Sequence, residues 1–409
     1  MHIEPSKTSF NCLKILTLFL LIFILATESK SQWIVQNSGT LNTLKSVFFT
    51  DDQNGIITGD HGTILKTIDG GAIWTMLDAG TTSSLNSVFF VDTDTGYIAG
   101  DNGVILKTSD GGTTWESQNS GTNSHLRSIR FADNNTGYVS GINAVIAKTT
   151  NAGINWSLFA APGNGRLSTV DTNTVYLVGE GLSVFKTNDG AQNWDTVLWN
   201  SSYGALNDVC FNGPANGIVV GGSWAQGYSY SVVYYTQDGG SNWHTWLKIN
   251  SGWLNSVTYA DTSIAYAVGS DGIVFQTSNS GEQWDRQVTG TSNDLFSVHF
   301  PTSETGYIAG ESGTILKTVN GGVGIGEELS DENQMLISPN PSNSYLTIIL
   351  PISTDKGVLK MFDNHGKLVM SENVHSQKHE MDVSCLKKGI YCVIVETSGK
   401  NYFSRMIKD

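Results

Sequence analysis

KTSDGGTTW, residues 107–115, recurs along the sequence and decides its fold. Variants that also end in Trp are KTIDGGAIW (66–74), KTTNAGINW (148–156), KTNDGAQNW (186–194), YTQDGGSNW (235–243) and QTSNSGEQW (276–284). A seventh copy, KTVNGGVGI (317–325), ends in Ile325 where Trp is expected. Most of these Trp residues are 41 positions apart, and a fixed period of this length is typical of stacked supersecondary units.

Each unit contains three short apolar runs before its Trp. In one unit they read LNSVFF (85–90), TGYIAG (95–100) and VILKTSD (104–110), with Gly and Asp between them. Such runs indicate β-strands, and a fourth strand is expected to start at each Trp. The sequence therefore predicts an all-β chain in which seven four-stranded antiparallel sheets form a seven-bladed β-propeller. A solenoid of seven sheets is the alternative.

The two ends of the repeat region complement each other. Residues 33–40, WIVQNSGT, resemble a lone fourth strand, whereas the last unit has three strands and lacks the fourth. Pairing of residues 33–37 with the strand around residues 315–318 would close the ring and leave no unpaired edge. An open solenoid would instead need capping units. The complementarity therefore favours a propeller closed by its N-terminal strand.

The repeated turn has a structural explanation. Its Asp or Asn is expected to accept hydrogen bonds from nearby backbone N–H groups, its Gly to supply positive φ, and its Trp to pack on the sheet. Metal binding is the alternative for Asp69, Asp110, Asp189 and Asp238. However, each lies on a different blade, and Asn replaces Asp in three copies. We predict no metal and no cofactor.

Two family resemblances follow from these repeats. The turn resembles the Asp-box of bacterial neuraminidase-repeat propellers. The full unit, with LNSVFF, TGYIAG and VILKT in this order, resembles the photosystem II stability/assembly factor-like propellers over about residues 33–325. That resemblance implies a propeller fold and an exported protein; plant and cyanobacterial members of the family bind a membrane protein during its assembly.

The repeat pattern stops before an acidic linker, residues 326–335, and residues 336–409 read as a small antiparallel β-sandwich. This segment resembles the type A C-terminal sorting domain of the type IX (Por) secretion system. The residues that carry the resemblance are Pro339, Asn340, Pro341, Gly366, Gly389, Tyr391 and Lys408. The resemblance implies a Bacteroidetes-type host, the type IX machinery as a partner, and release or attachment at the cell surface. An ordinary accessory β-domain is the alternative.

Residues 1–31 have the features of a signal peptide. Lys7 and Lys14 precede an apolar run, residues 15–26, that is too short to span a bilayer as a helix. We therefore expect a protein that is secreted through the periplasm and has no transmembrane segment, with an N-terminal membrane anchor as the alternative. The propeller is predicted to occupy residues 32–325. Cys385 and Cys392 are either bridged or unpaired.

Charge excludes one class of function and suggests one surface. The net charge of −14 argues against nucleic-acid binding, which needs clustered Lys and Arg. Turns between the second and third strands are expected to meet at one rim of the propeller. They carry Asp60, Asp101, Glu180, Asp271 and Glu311. Such a rim would attract cations or a basic partner, although acids beside Gly are also ordinary in turns.

The fifth unit has an insertion in this same turn, GGSWAQGYSYS (221–231), with Trp224, Tyr228 and Tyr230. Exposed aromatic side chains on an extended loop suit contact with a protein or a glycan. The alternative is that the insertion packs on its neighbour blade. His125, Arg166, Tyr203 and Trp253 are expected on nearby loops.

An enzymatic function is the last alternative. A sialidase-like glycoside hydrolase needs three Arg around the substrate carboxylate, a Tyr nucleophile and acidic partners. Arg127 and Arg130 lie on one predicted strand and Arg286 on an outermost strand, so three Arg from different blades are not expected to converge. We predict no catalytic residues and no enzyme activity. The sequence favours a binding or scaffold module for an extracellular protein or glycan.

Overall fold

A computed structural model describes residues 33–200, 202–225, 228–249, 252–322, 335–338, 342, 344–350, 357–363, 367–397 and 401–408. The chain forms two compact units that divide between Gly324 and Ile325. Among the described residues there are β-strands and short turns but no α-helix. The predicted signal peptide, residues 1–31, lies outside the described residues.

The first unit contains seven sheets of four antiparallel strands among its described residues. Sheet 1 comprises β2 Leu44–Phe49, β3 Gly55–Gly59, β4 Ile64–Thr67 and β5 Thr75–Leu77. Sheet 2 comprises β6 Leu85–Phe90, β7 Gly96–Gly100, β8 Val104–Thr108 and β9 Glu116–Asn119. Sheet 3 comprises β10 Leu126–Phe131, β11 Gly137–Gly141, β12 Val145–Thr149 and β13 Ser157–Ala160. Sheet 4 comprises β14 Leu167–Thr169, β15 Val175–Gly179, β16 Ser183–Thr187 and β17 Asp195–Leu198. Sheet 5 comprises β18 Gly204–Asn212, β19 Asn216–Ala225, β20 Tyr228–Thr236 and β21 His244–Ile249. Sheet 6 comprises β22 Leu254–Tyr259, β23 Ala265–Gly269, β24 Val274–Thr277 and β25 Asp285–Gln287.

Sheet 7 combines the two ends of this unit. Its strands are β26 Leu295–His299, β27 Gly306–Gly310, β28 Ile315–Thr318 and, at the edge, β1 Ile34–Gln36. β1 pairs antiparallel with β28, with Ile34 opposite Lys317 and Gln36 opposite Ile315. Trp33 precedes β1 and is fully buried among residues of sheets 6 and 7.

The apolar cores lie between successive sheets. One cluster joins Tyr97 and Ile105 of sheet 2 to Leu126 and Phe131 of sheet 3. Another joins Tyr307 of sheet 7 to residues of sheet 1, and the first strand β2 contacts both β6 and β26. In six of the seven sheets the second strand is buried along its whole length because cores lie on both of its faces, whereas β19 of sheet 5 carries the exposed Trp224. Each sheet thus depends on two neighbours for its burial.

A recurring Gly fits this packing. A Cβ atom at Gly137 would lie 2.6 Å from the Phe131 ring of the same sheet. That ring in turn stacks on Tyr97 of the preceding sheet, with centroids 4.0 Å apart. The Gly-Tyr pair that begins the second strand therefore provides both a space for the Phe and an aromatic partner from one sheet to the next.

The repeated turn holds itself together through its polar side chains. Asp110 Oδ1 accepts hydrogen bonds from the Thr108 hydroxyl at 2.8 Å and from the Thr114 N–H at 2.9 Å. Asn151 takes the same place in the next sheet and accepts from Thr149 and from the Asn155 N–H, both at 3.0 Å. Because a neutral amide makes the same bonds, the acid serves as a turn acceptor. No group of three metal-ligating side chains occurs among the described residues.

The insertion in the fifth unit forms strand and not the loop that we expected. β19 and β20 continue pairing through it, with Ser223 opposite Tyr230 and Ala225 opposite Tyr228. Alternating Tyr and Ser residues suit a strand, so the additional residues lengthen the hairpin.

The second unit contains two antiparallel sheets. The strands are β29 Leu336–Ser338, β30 Tyr345–Ile349, β31 Gly357–Phe362, β32 Leu368–Val374, β33 Lys378–Asp382, β34 Gly389–Thr397 and β35 Asn401–Lys408. They pair in the orders β29-β30-β33 and β32-β31-β34-β35. One buried cluster, including Leu346, Leu359 and Val393, contains residues of both sheets. Cys385 is a free, exposed cysteine, which agrees with the unpaired interpretation.

Candidate functional site

The first strand of each sheet is called its inner strand: β2, β6, β10, β14, β18, β22 and β26. These seven strands converge on one cavity in the first unit. Its volume is about 520 Å³. Six of the seven inner strands contribute at least one lining residue, and in sheet 4 Gly165 and Arg166, just before β14, take this place. The lining residues are Thr43, Lys45, Asn86, Asp101, His125, Arg127, Ile142, Gly165, Arg166, Leu206, Asn207, Asn255 and Phe296. We call this space the axial cavity.

Three basic side chains of the axial cavity lie beside acidic residues. Lys45 Nζ lies 2.6 Å from an Asp60 carboxylate oxygen, and His125 Nδ1 lies 3.1 Å from Asp101. Burial opposes ionisation of Asp60, but hydrogen bonds from Lys45 and Ser84 and the Lys45 charge lower its pKa below the ordinary value. The third pair joins Arg166 and Asp208, 3.4 Å apart.

Arg127 differs from these cations. Its guanidinium donates to the Asn164 carbonyl oxygen at 3.2 Å. Among the described residues, no carboxylate lies within ion-pair distance of Arg127, and its side chain is exposed. A guanidinium in a concave site with its charge uncompensated is suited to bind an anionic group. The axial cavity therefore contains one guanidinium, that of Arg127, without a carboxylate partner among the described residues.

Side chains further along the same inner strands pack against one another. The Phe48 ring stacks on His299, with centroids 4.5 Å apart, and lies 5.4 Å from Phe89. The Arg130 guanidinium lies 5.8 Å from the centre of the Phe89 ring. Burial lowers the pKa of His299 to about 4; its bond to the Phe49 carbonyl opposes this shift and the Arg130 charge adds to it. His299 is accordingly neutral at pH 7.

The five acidic residues predicted on the rim lie in different surroundings. Asp60 and Asp101 begin their turns and pair with cations of the axial cavity. Glu180, Asp271 and Glu311 are exposed and form no ion pair within the described part of the chain. The rim thus has acids of two kinds, and Asp101 is the member that also lines the cavity.

The predicted aromatic residues of the insertion also separate. The Trp224 side chain is exposed, and the backbone N–H of Trp224 donates to the Tyr203 carbonyl at 2.9 Å. Tyr230 packs against the core between sheets 4 and 5. Tyr228 is placed on β20 opposite Ala225. Tyr203 is 87% exposed, so both Trp224 and Tyr203 present aromatic side chains to solvent.

The predicted sorting residues are described only in part. Pro339, Asn340, Pro341 and Gly366 lie outside the described residues. Tyr391 is buried and its hydroxyl donates to the Lys387 carbonyl at 2.7 Å. Gly389 pairs with Lys408 across β34 and β35.

The arginines are placed as the sequence indicated, with one addition. Arg127 and Arg130 lie on the inner strand β10, and Arg286 is exposed on the outer strand β25. Arg166, which we expected only on a nearby loop, lines the axial cavity beside Arg127. Two irregularities of the repeat signal this: a spacing of 38 residues between Trp156 and Trp194, and an Asp at 208 where other units have Ser.

No helix among the described residues has the length and apolarity required to cross a membrane.

Comparisons with known proteins agree with the repeat architecture. The family model described as photosynthesis system II assembly factor YCF48 matches residues 73–213 and 247–319, which is more than half of the chain. A second model, described as a secretion system C-terminal sorting domain, matches residues 336–409. No match was found among the curated proteins.

Solved structures of similar fold include YCF48 bound to D1 peptide. It is 20% identical with a TM-score of 0.59, and the match covers 71% of this chain and 95% of that chain. YCF48 from Cyanidioschyzon merolae is 18% identical with a TM-score of 0.55, covering 70% of this chain and 98% of that chain. These similarities show a β-propeller fold. The chain therefore belongs to the YCF48 family of photosynthesis system II assembly factors, and it carries a secretion-system C-terminal sorting domain over residues 336–409.

Proposed function

We propose that this protein is a non-enzymatic binding module, a closed seven-bladed propeller that the type IX secretion system delivers to the cell surface or the medium. The pairing of β1 with β28 and the core shared by sheets 7 and 1 support a closed ring. The sorting domain supports export by the type IX machinery. The N-terminal sequence, with its basic residues and short apolar run, supports a signal peptide and a route through the periplasm.

The ligand that fits the axial cavity best is a protein segment with a carboxylate side chain or terminus. Arg127, exposed in a concave site and unpaired with any described carboxylate, is the observation that carries this proposal. Neighbouring Asn86, Asn207 and Asn255 give the wall polar groups for backbone recognition. A relative of the same fold has been solved with a bound peptide, which supports a peptide as the class of ligand.

The lining of the axial cavity also supports a non-enzymatic role. The residues that line it include no Tyr and no Glu, the groups that a sialidase uses as its nucleophile pair. Arg166, the second Arg of the cavity, is paired with Asp208. We accordingly expect no turnover of a fluorogenic sialoside by the purified protein, and measurable turnover that depends on Arg127 would replace the binding proposal with the enzymatic one.

Fluorescence anisotropy with two labelled peptides tests the binding proposal. Both are Gly-Ser octapeptides with blocked ends; one contains a single central Glu and the other a Gln at that position. We expect the Glu peptide to bind and the Gln peptide to bind at least about tenfold more weakly, because only the former pairs with Arg127.

Two single-residue variants test whether the Glu peptide binds in the axial cavity. Arg127→Ala should weaken binding of the Glu peptide about tenfold, whereas Arg286→Ala, which removes an exposed Arg from an outer strand, should leave it unchanged. Equal binding of the two peptides, or equal affinity of the two variants, would exclude the axial cavity as an acidic-peptide site. If binding instead depends on Trp224, Tyr228 and Tyr230 in a triple-Ala variant, the hairpin of sheet 5 is the contact surface for a protein or glycan.

A further inference from the structure

Asp208 is an exception in a regular ring of inner-strand side chains. Six sheets carry Ser at this position: Ser46, Ser87, Ser128, Ser168, Ser256 and Ser297. The Ser46 hydroxyl accepts a hydrogen bond from the Val88 N–H of the next sheet at 3.1 Å, and Ser87 accepts from Ile129 at 3.2 Å. Asp208 makes the same bond, accepting from the Val257 N–H at 3.0 Å. The carboxylate therefore preserves the role of the serines and adds a negative charge.

This added charge is buried beside the axial cavity. The Asp208 side chain is 3% exposed, and it also accepts from the Ser256 hydroxyl at 2.9 Å. A buried carboxylate is costly unless a cation compensates it. Arg166, from the preceding sheet, supplies the nearest cation at 3.4 Å, and the Arg130 guanidinium of sheet 3 also interacts electrostatically with Asp208. The other terminal nitrogen of Arg166 donates to the Phe296 carbonyl at 3.1 Å.

Arg166 reaches its position through a second exception. In six sheets a β-bulge follows a Leu of the inner strand, for example between Leu126 and Ser128; this Leu is the first residue of the strand in five sheets and the third residue of β18. Sheet 4 pairs without it, with Leu167 opposite Leu177 and Ser168 opposite Tyr176. Leu167 and Ser168 are adjacent there, whereas one residue separates the corresponding Leu and Ser in sheet 3, and Arg166 directly precedes Leu167. Two departures from the repeat, in neighbouring sheets, thus meet as one ion pair.

Lys45 and Arg166 of the axial cavity therefore each have a carboxylate partner, Asp60 and Asp208, whereas Arg127 has none among the described residues. We propose that Asp208 sets the charge specificity of the axial cavity, because it cancels the charge of Arg166 and leaves the cavity selective for a ligand group with a single negative charge. This inference rests on the proposed function, whose ligand it defines more narrowly.

Substituting Asp208 tests the inference. Asp208→Asn removes the charge but keeps an oxygen for the Val257 N–H, and Asp208→Ser introduces the residue found in the other six sheets. We expect both variants to bind a Gly-Ser octapeptide with two adjacent Glu about tenfold more tightly than the wild type does, while affinity for the single-Glu peptide changes less. If the ratio of the affinity for the two-Glu peptide to that for the single-Glu peptide is the same in the variants as in the wild type, the inference is overturned.

A double variant distinguishes an effect of the Asp208 charge on peptide binding from an effect of Asp208 on folding. In Arg127→Ala/Asp208→Asn, the freed Arg166 should restore binding of the single-Glu peptide that Arg127→Ala alone loses. A merely structural role of Asp208 predicts further weakening, and that result would also overturn the inference.

Inorganic anions test Asp208 independently of any peptide. If the wild type binds neither peptide, the proposed function fails, yet sulfate should still raise the Tm of Asp208→Asn more than that of the wild type. In Asp208→Asn/Arg166→Gln, sulfate should raise the Tm no more than it does in the wild type, since sulfate then contacts Arg127 but lacks Arg166 as a second cation. Equal Tm shifts in the wild type and Asp208→Asn would refute the role of Asp208 in charge selection.

Discussion

Replacing Trp33 with Ala should destabilise the first unit as strongly as a core mutation, although Trp33 is its first described residue. The indole is fully buried, and its ring centroid lies 6.2 Å from Tyr266 and 5.9 Å from Phe300, both edge-on. Burial of about 200 Å² for an aromatic of this size, at about 25 cal/mol per Å², contributes about 5 kcal/mol. A Trp→Ala change in a core costs about 3–5 kcal/mol, so the Tm should fall by roughly 10 °C.

Two matched variants make the measurement decisive. Trp74→Ala removes the equivalent Trp of sheet 1, which is 9% exposed, and should cost a similar free energy of unfolding. Trp199→Ala removes a Trp that is 69% exposed and should change the free energy of unfolding by at most about 0.5 kcal/mol. Urea denaturation followed by circular dichroism compares the three. If Trp33→Ala behaves like Trp199→Ala, β1 is not docked on β28 and the closed ring is wrong.

Two further predictions concern titration and the repeated turn. Because burial lowers the pKa of His299 to about 4, the unfolded chain binds a proton between pH 6.5 and 4 that the folded protein excludes. The free energy of unfolding should fall over this range, and His299→Gln should remove up to about 3 kcal/mol of that fall; parallel pH profiles in urea denaturation would contradict the assignment. In the turn of sheet 2, Asp110→Asn keeps the acceptor bonds that Asn151 also makes but loses the bond from the Thr114 hydroxyl to Oδ2, so it should lower the Tm less than Asp110→Ala, which should lower it by a few degrees. Equal Tm values for the two Asp110 variants would show that the acceptor bonds contribute nothing.

Repetition is what made much of the fold predictable. Every unit repeats its apolar pattern, and the strands of the structure lie where the runs LNSVFF, GYIAG and VILKT place them in sheet 2. The turn acceptors were also predictable, since a hairpin of this length fixes what Asp110 and Asn151 can contact.

The axial cavity was less predictable because it depends on contacts between sheets far apart in sequence. Acids such as Asp60 stand out in a turn, but their pairing with Lys45 follows from strand convergence that no local pattern contains. Arg166 was unexpected because a missing β-bulge shifts its strand by one residue. The insertion was predicted to be a loop, although its alternation of Ser and Tyr at residues 228–231 is typical of a strand.

The placement of β1 also has a consequence for the order of folding. Sheet 7 takes its edge strand from residues 34–36 and its other strands from residues 295–318, so its last pairing joins segments separated by nearly the whole first unit. Contacts of such sequence separation form slowly, since the intervening chain must first be ordered. Among the described strands of the first unit, β1 comes first in sequence, and its partner β28 comes last. β1 is therefore an unpaired strand throughout the interval in which the other sheets assemble, and that interval is when this protein is most exposed to aggregation.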